Sequence, residues 1–300
     1  MRLRETPNLL ILKNLLGPVD TVATALSEIA SAAEDPNVVD VVRQGLFILA
    51  VARVETVLSD TLKYYLSVIP QKISKESLSV TKDEFLAHRF DLIDFQIEKF
   101  LHSLFYKPID DVLGYFCSTL SLEADPSALS APLHEIKATR NVLLHNNLVS
   151  NSAYLEAAGE SRRANKQGEK LEITQSYLKD SLDTLLSFVA EVDRLISSKY
   201  MDYTKLAAIR RLWDFTFKSQ VMPFDDFWCV DEKADNISSR KKGKYEDGLS
   251  SSETIFLSVW RAHFSGYAPD LKPITMYTLD DDHQAKLLYL LSVFRHFWIQ

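Results

Sequence analysis

The stretch Glu135-Ile136-Lys137-Ala138-Thr139-Arg140-Asn141-Val142-Leu143-Leu144-His145-Asn146-Asn147 sets polar residues suited to phosphate chemistry inside a strongly helical, apolar pattern. The spacing predicts a helix that opens around Ser130-Ala131-Pro132 and ends near Asn146-Asn147, because Asn adopts the left-handed conformation that closes helices. A helix turns by about 100° per residue, so Asn141 and His145 fall one turn apart on a shared face, with the long side chain of Arg140 beside them. Val142, Leu143 and Leu144 are expected to hold the other side in a core. A cation, an amide and an imidazole then converge on a rigid element. Arg140, Asn141 and His145 are the candidate catalytic residues.

Working outward, the flanking sequence is helical on both sides. Pro18 with Asp20 or Thr21 is expected to start a first helix, in which Val22, Ala25, Leu26, Ile29 and Ala33 recur at helical spacing until Asp35-Pro36. A long helix follows, capped by Asn37, with Val38, Val41, Val42, Phe47, Leu49, Val54, Val57, Leu58 and Leu62 on its apolar face as far as Ile69-Pro70. Thr81 and Glu84 form a capping box for a short helix ending near His88-Arg89. The next is expected over 91–106, with Phe95, Phe100, Leu101, Leu104 and Phe105 as core, and Pro108 opens another through Leu120. Residues 150–170, with Gly159, Gly168 and Arg162-Arg163, read as an exposed polar connection. From Thr174 a helix carries Leu178, Leu182, Leu185, Leu186, Val189, Val192 and Leu195 to about Ser197. Eight Gly disfavour a turn-rich β architecture, and the expected class is all-α.

The chemistry of the quoted stretch follows from its residue types. Metal-free cleavage of a phosphodiester needs a base for the attacking hydroxyl, an acid for the leaving oxygen and positive charge on the phosphate. His145 suits either proton role, with an unperturbed pKa of about 6.5. Arg140 offers a permanent forked cation for phosphate oxygens. Asn141 orients or binds but transfers no proton. One copy therefore supplies one acid/base group, and a two-fold dimer would supply two.

The order Arg140, Asn141, His145 resembles the signature of the HEPN superfamily, all-helical domains with an Arg, a polar residue after it and a His a few residues on. The following Asn146-Asn147-Leu148-Val149, Tyr154-Leu155, Gly168-Glu169-Lys170-Leu171 and Tyr177-Leu178 are similar to the branch grouped with RiboL-PSP-type proteins, as is Val54-Glu55-Thr56-Val57-Leu58 to its acidic helix. The resemblance spans about residues 35–197. It implies a helical bundle, a composite site in a homodimer and metal-independent endoribonuclease activity of the bacterial toxin or phage-defence kind, with no cofactor. RNA is then the substrate and a cognate antitoxin protein a partner. Glu55 is a possible site acid, or a partner for Arg53 or Arg140. Many HEPN-like domains bind nucleotides or partners without cutting, so a non-catalytic binding module or a plain helical interaction protein is the alternative.

Composition sets outer limits. The 300 residues are 46% hydrophobic and 25% charged, as in ordinary globular chains, and the net charge of −7 argues against coating nucleic acid through bulk electrostatics. No apolar run reaches the ~18 residues of a membrane span, no signal-peptide pattern opens the chain, and the expected location is the cytoplasm. Cys117 and Cys229 have no ligand spacing around them and are expected to be buried free thiols.

The expected division is a HEPN-like helical domain over 1–199 and a smaller helical subdomain over 200–300. In the second, Thr204 to Lys218 reads as a helix, Ser250 with Glu253 caps another to His263, and Asp280 to Asp282 caps a last one. Trp213, Trp228, Trp260 and Trp298 call for a packed core there. Arg240, Lys241, Lys242 and Lys244 form a basic cluster, a solvated loop on the bland reading and an RNA contact on the functional one.

Overall fold

The long helix is the hub around which the other helices assemble. In this computed structural model, which describes residues 10–35, 37–73, 79–88, 91–204, 207, 228–231 and 236–239, it is α2, Asp40–Val68, following α1, Leu12–Ala33. After it come α3 (Lys82–Ala87), α4 (Leu92–Phe105), α5 (Ile109–Leu120), α6 (Pro126–Ser130), α7 (His134–Asn146), α8 (Ser152–Ala158) and α9 (Gln175–Tyr200). The fold is all-α. The chain divides into two units, Leu12–Asp202 and, separately, Met1–Ile11 with Tyr203–Gln300.

Within Leu12–Asp202, α2 packs against α1, α9, α4 and α7, and α1 also lies on α9. Phe47, Ala50, Val51, Val54, Val57, Leu58, Leu62 and Leu66 are buried on α2, at helical spacing. Leu178, Leu182, Leu185, Val189, Val192 and Ile196 give α9 the matching stripe. At about 1.5–3 kcal/mol for each large apolar side chain removed from water, these stripes dominate the stability of the bundle. At the far end of α9 the Tyr200 hydroxyl donates to the Leu120 carbonyl at 2.6 Å, fixing the close of α5 to it.

Local chemistry sets several boundaries as expected. Thr81 and Glu84 make the reciprocal capping box of α3, and Thr174 caps α9 by accepting from the Tyr177 amide. Asp125 caps α6 through the Ser127 amide, and a 3₁₀ turn over Ala131–Leu133 carries the chain into α7. At the other end of α7, Asn147 takes the left-handed conformation, φ 49°, as its identity suggests.

Other expectations give way. The first helix begins at Leu12 and contains Pro18, because Leu15, Val19, Val22, Leu26, Ile29 and Ala33 form one unbroken buried stripe across it. A proline inside a helix costs about 3 kcal/mol, less than the burial of the flanking side chains returns. Asn37 does not cap α2: its backbone and side-chain amides both donate to Asp35 Oδ1, and the helix starts behind Val39 with no side-chain cap. Val41, Val42 and Leu49 are exposed, as is Leu144 on α7, so none of the four is core. Phe95, Phe100 and Phe105 are only half-buried, with Leu101 and Leu104 inside. Residues 150–170 are no open connection. They contain α8, bury Tyr154 and Ala164, and return antiparallel to the segment after α7, with Val149 opposite Lys170 and the Leu171 amide donating to the Leu148 carbonyl at 2.7 Å. Gly168, at φ 86°, makes the turn for that return.

In the second unit the described residues include an antiparallel hairpin of β1 (Trp228–Asp231) and β2 (Asn236–Ser239), with Trp228 opposite Ser239. It departs from the all-helical reading of residues 200–300. Short β-branched and aromatic runs such as Trp-Cys-Val make strands without helical periodicity. The helices expected over 204–218, 250–263 and after 280, and Trp213, Trp260 and Trp298, lie outside the described residues but for Thr204 and Ala207, where the Thr204 hydroxyl accepts from the Ala207 amide at 3.1 Å. Among the described residues no helix is long and apolar enough to cross a membrane, and Cys117 is a buried free thiol.

The left-handed closure after α7 is testable. Asn147→Ala is expected to lower stability by about 1 kcal/mol, since Ala resists a positive φ, while Asn147→Gly is expected to leave it unchanged or higher. Urea unfolding of the three proteins followed by circular dichroism decides it. Equal midpoints for Ala and Gly would contradict the conformation assigned here.

Candidate functional site

Helix α7 has two polar sides with opposite fates. On the buried side Glu135, one residue into the first turn and 7% exposed, accepts four hydrogen bonds. Its Oε1 receives Thr139 Oγ1 at 2.6 Å, Arg163 Nε at 2.8 Å and the Tyr154 hydroxyl at 3.0 Å, and its Oε2 receives the Tyr177 hydroxyl at 2.7 Å. Arg163 also donates to the Glu172 carbonyl and to Thr139 Oγ1, and its guanidinium lies 3.5 Å from the centre of the Tyr177 ring. A buried carboxylate left unpaired costs several kcal/mol, and here four donors answer it, three on Oε1 and one on Oε2. The network joins α7, α8, the 160s segment and α9 at one point. Tyr177 also packs against Phe47 of α2, ring centres 5.6 Å apart and planes tilted by 46°.

On the outward side stand Lys137, Arg140, Asn141 and Leu144, with His145 at its edge. Arg140 Nη2 donates to Glu55 Oε1 of α2, and its Nη1 donates to Asn141 Oδ1 at 3.0 Å. Lys137 Nζ lies 3.4 Å from the same Glu55 oxygen. Arg140, Asn141 and Glu55, read from the sequence as separate candidates, therefore form one contact group, and of the two partners considered for Glu55 it takes Arg140. His145 is exposed and, among the described residues, makes no hydrogen bond or ion pair. It shares the helix with Arg140 and Asn141 but does not touch them. Arg240, Lys241, Lys242 and Lys244 lie outside the described residues.

Another group, Ser130, Asp110 and His134, holds the residue types of a hydrolytic triad without its order. Ser130 Oγ donates to Asp110 Oδ1, and His134 Nε2 lies 3.0 and 3.1 Å from the two Asp110 oxygens. Both face the carboxylate and not each other, so the serine has no base. The Ser130 hydrogen bond, with His134 beside it, holds Asp110 below the usual carboxylate range, and the group ties the start of α5 to the approach of α7. Among the described residues no three His, Cys, Asp or Glu side chains are grouped to hold a metal ion.

Sequence spacing reaches only part of this. Glu135 and Thr139 are an i, i+4 pair and could have been flagged, but Tyr154, Arg163 and Tyr177 come from other elements and carry no common spacing. Lys137 precedes Arg140 by three, the one local signal that it shares the outward face. Compared with known proteins, the chain matches no family model and has no significant match among curated proteins or solved structures.

The network makes stability sensitive to alkaline pH. Burial, reinforced by the charge of Glu135, pushes the Tyr177 hydroxyl well above its ordinary 10.0, and burial raises Tyr154 in the same direction. The unfolded chain therefore loses these protons first, so the stabilisation is complete below pH 10 and declines as pH rises past it. Urea midpoints between about pH 8 and 11 are expected to fall, and to fall less steeply in Tyr177→Phe. Parallel declines would refute the coupling. Glu135→Ala, which takes the shared acceptor from Arg163 and from three hydroxyls, is expected to cost about 3 kcal/mol at neutral pH.

Proposed function

We propose that Leu12–Asp202 is a HEPN-type endoribonuclease unit that cuts RNA without metal, in the manner of bacterial toxins and phage-defence effectors. The observation that carries this reading is the division of α7: one side locked into the bundle through Glu135, the other presenting Arg140, Asn141 and, exposed beside them, His145. In the proposed reaction His145 takes the proton of the 2′-hydroxyl, the freed oxygen attacks the adjacent phosphorus, and Arg140 stabilises the charge gathering on the phosphoryl oxygens. A proton must also reach the departing 5′-oxygen. The same His145 of a second copy, brought across a two-fold axis, would supply it. Leu144, an exposed apolar side chain one turn from Arg140 on α7, supports self-association near the site, and Val41, Val42 and Leu49 leave further exposed apolar surface on α2. A cognate antitoxin would be the natural second protein partner of such a toxin.

One observation favours a second reading. Arg140 is already paired with Glu55, as in a plain structural tie between α7 and α2, and a non-catalytic RNA- or nucleotide-binding module or a helical interaction protein would need no more.

His145→Ala and Arg140→Ala are each expected to abolish cleavage of RNA by the purified protein, with His145→Ala melting within about 0.5 kcal/mol of wild type because the side chain is exposed. Cleavage should persist in excess EDTA and leave 2′,3′-cyclic phosphate ends. Retained cleavage in His145→Ala contradicts the assignment. A loss of several kcal/mol of stability in Arg140→Ala supports the structural tie.

A further inference from the structure

Two cations on α7 address one oxygen of one carboxylate. Arg140 donates to Glu55 Oε1, and Lys137 Nζ stands 3.4 Å from that same atom. The Lys137 ammonium is out of solvent and makes no hydrogen bond, although it carries three strong donors. Charge is also unbalanced within the group: Lys137 and Arg140 bring two positive charges against the single negative charge of Glu55. A buried ammonium whose one carboxylate neighbour stands at 3.4 Å and is shared with a guanidinium is an expensive arrangement.

We propose that Lys137 and Arg140 form a binding site for a phosphodiester oxyanion, which Glu55 occupies in the free protein and the backbone of a single-stranded RNA displaces. A phosphodiester has two non-bridging oxygens sharing one charge, so it can serve the guanidinium with one and the ammonium with the other. Glu55 can leave at modest cost. Its side chain is 26% exposed, so the carboxylate regains water when it swings away from the guanidinium. When the carboxylate swings out, both cations face the incoming phosphate, with Asn141 on the Arg140 guanidinium and His145 one turn further along α7. Glu55 is then neither an acid nor a base in this step but an internal competitor, and Lys137 is a substrate-binding residue. The site rests on the ribonuclease reading for the identity of its ligand, and not for its geometry.

The probe is a short 2′-O-methyl oligoribonucleotide, which keeps the phosphodiester and lacks the attacking hydroxyl, so the wild-type protein binds it without cutting. Fluorescence anisotropy over a range of salt concentrations gives the affinity. Glu55→Gln keeps the shape and removes the competing charge, and is expected to bind roughly tenfold more tightly than wild type. Lys137→Met is expected to bind roughly tenfold more weakly, with a salt slope smaller by about one ion, and to melt no lower than wild type because the ammonium it removes is unbonded. The double variant should lose the gain of Glu55→Gln. Unchanged or weaker binding by Glu55→Gln, unaltered binding by Lys137→Met, or no binding by either wild type or Glu55→Gln overturns the proposal. Cleavage of the unmodified RNA is scored in parallel: these affinity changes without cleavage keep the anion site and reject the nuclease, and cleavage without them does the reverse.

Discussion

A carboxylate withdrawn from water has to be answered by donors, and Glu135 is answered by Thr139 from its own helix, Tyr154 from α8, Arg163 from the following segment and Tyr177 from α9. Each of the four that leaves weakens the pairing of a buried charge, so three elements separated by up to 42 residues are held to the first turn of α7. Apolar stripes alone would bring α2 and α9 together but would tolerate sliding of the short α7 and α8 against them. The carboxylate network fixes their register, because hydrogen bonds of 2.6 to 3.0 Å lose their energy over displacements that dispersion contacts accept.

The outward side of α7 inherits this rigidity. Arg140 and Lys137 point at α2 because Glu135, on the other side, fixes the rotation of the helix, and the closure at Asn147 and Leu148, both at positive φ, stops it immediately after His145. The chain then runs antiparallel to residues 166–171 through Ser150 and Leu148, so the segment beyond His145 is tied down as well. Chemistry that depends on sub-ångström placement is best carried by such an element. The outward side of α7 is held by the Arg140 and Lys137 contacts to Glu55 and by the Arg140–Asn141 hydrogen bond, and the inward side by the four bonds to Glu135.

The sequence made the helices of Leu12–Asp202 legible wherever a local device marked them: the Thr81–Glu84 box, Thr174, Pro108 and the Asn pair after His145 all act within a few residues. It also made the Arg140–Asn141 neighbourhood legible, since one helix sets both positions. Long-range choices were not. A proline reads locally as a start, and only the buried stripe, which already includes Leu15, carries the helix back across Pro18. Val41, Val42 and Leu49 looked like core because periodicity gives a face and not its neighbour, and α2 has more apolar surface than its partners cover. The polar side chains of 150–170 carry no local sign of burial, since Arg163 turns inward to a carboxylate 28 residues earlier. The hairpin of β1 and β2 carries too short a pattern to rise above its polar surroundings.

The claim that joins these elements to a function is that two copies of His145 work on one phosphate. Subunit mixing tests it most directly. Wild-type protein is equilibrated with inactive His145→Ala protein in varying proportion, and the RNA cleavage rate is divided by the amount of wild-type chain present. A composite site predicts that this rate falls with the wild-type fraction, reaching about half at equal mixing, because only wild-type pairs carry both imidazoles. A rate per wild-type chain that stays constant at every proportion would mean that each copy acts alone, and would contradict the two-histidine site.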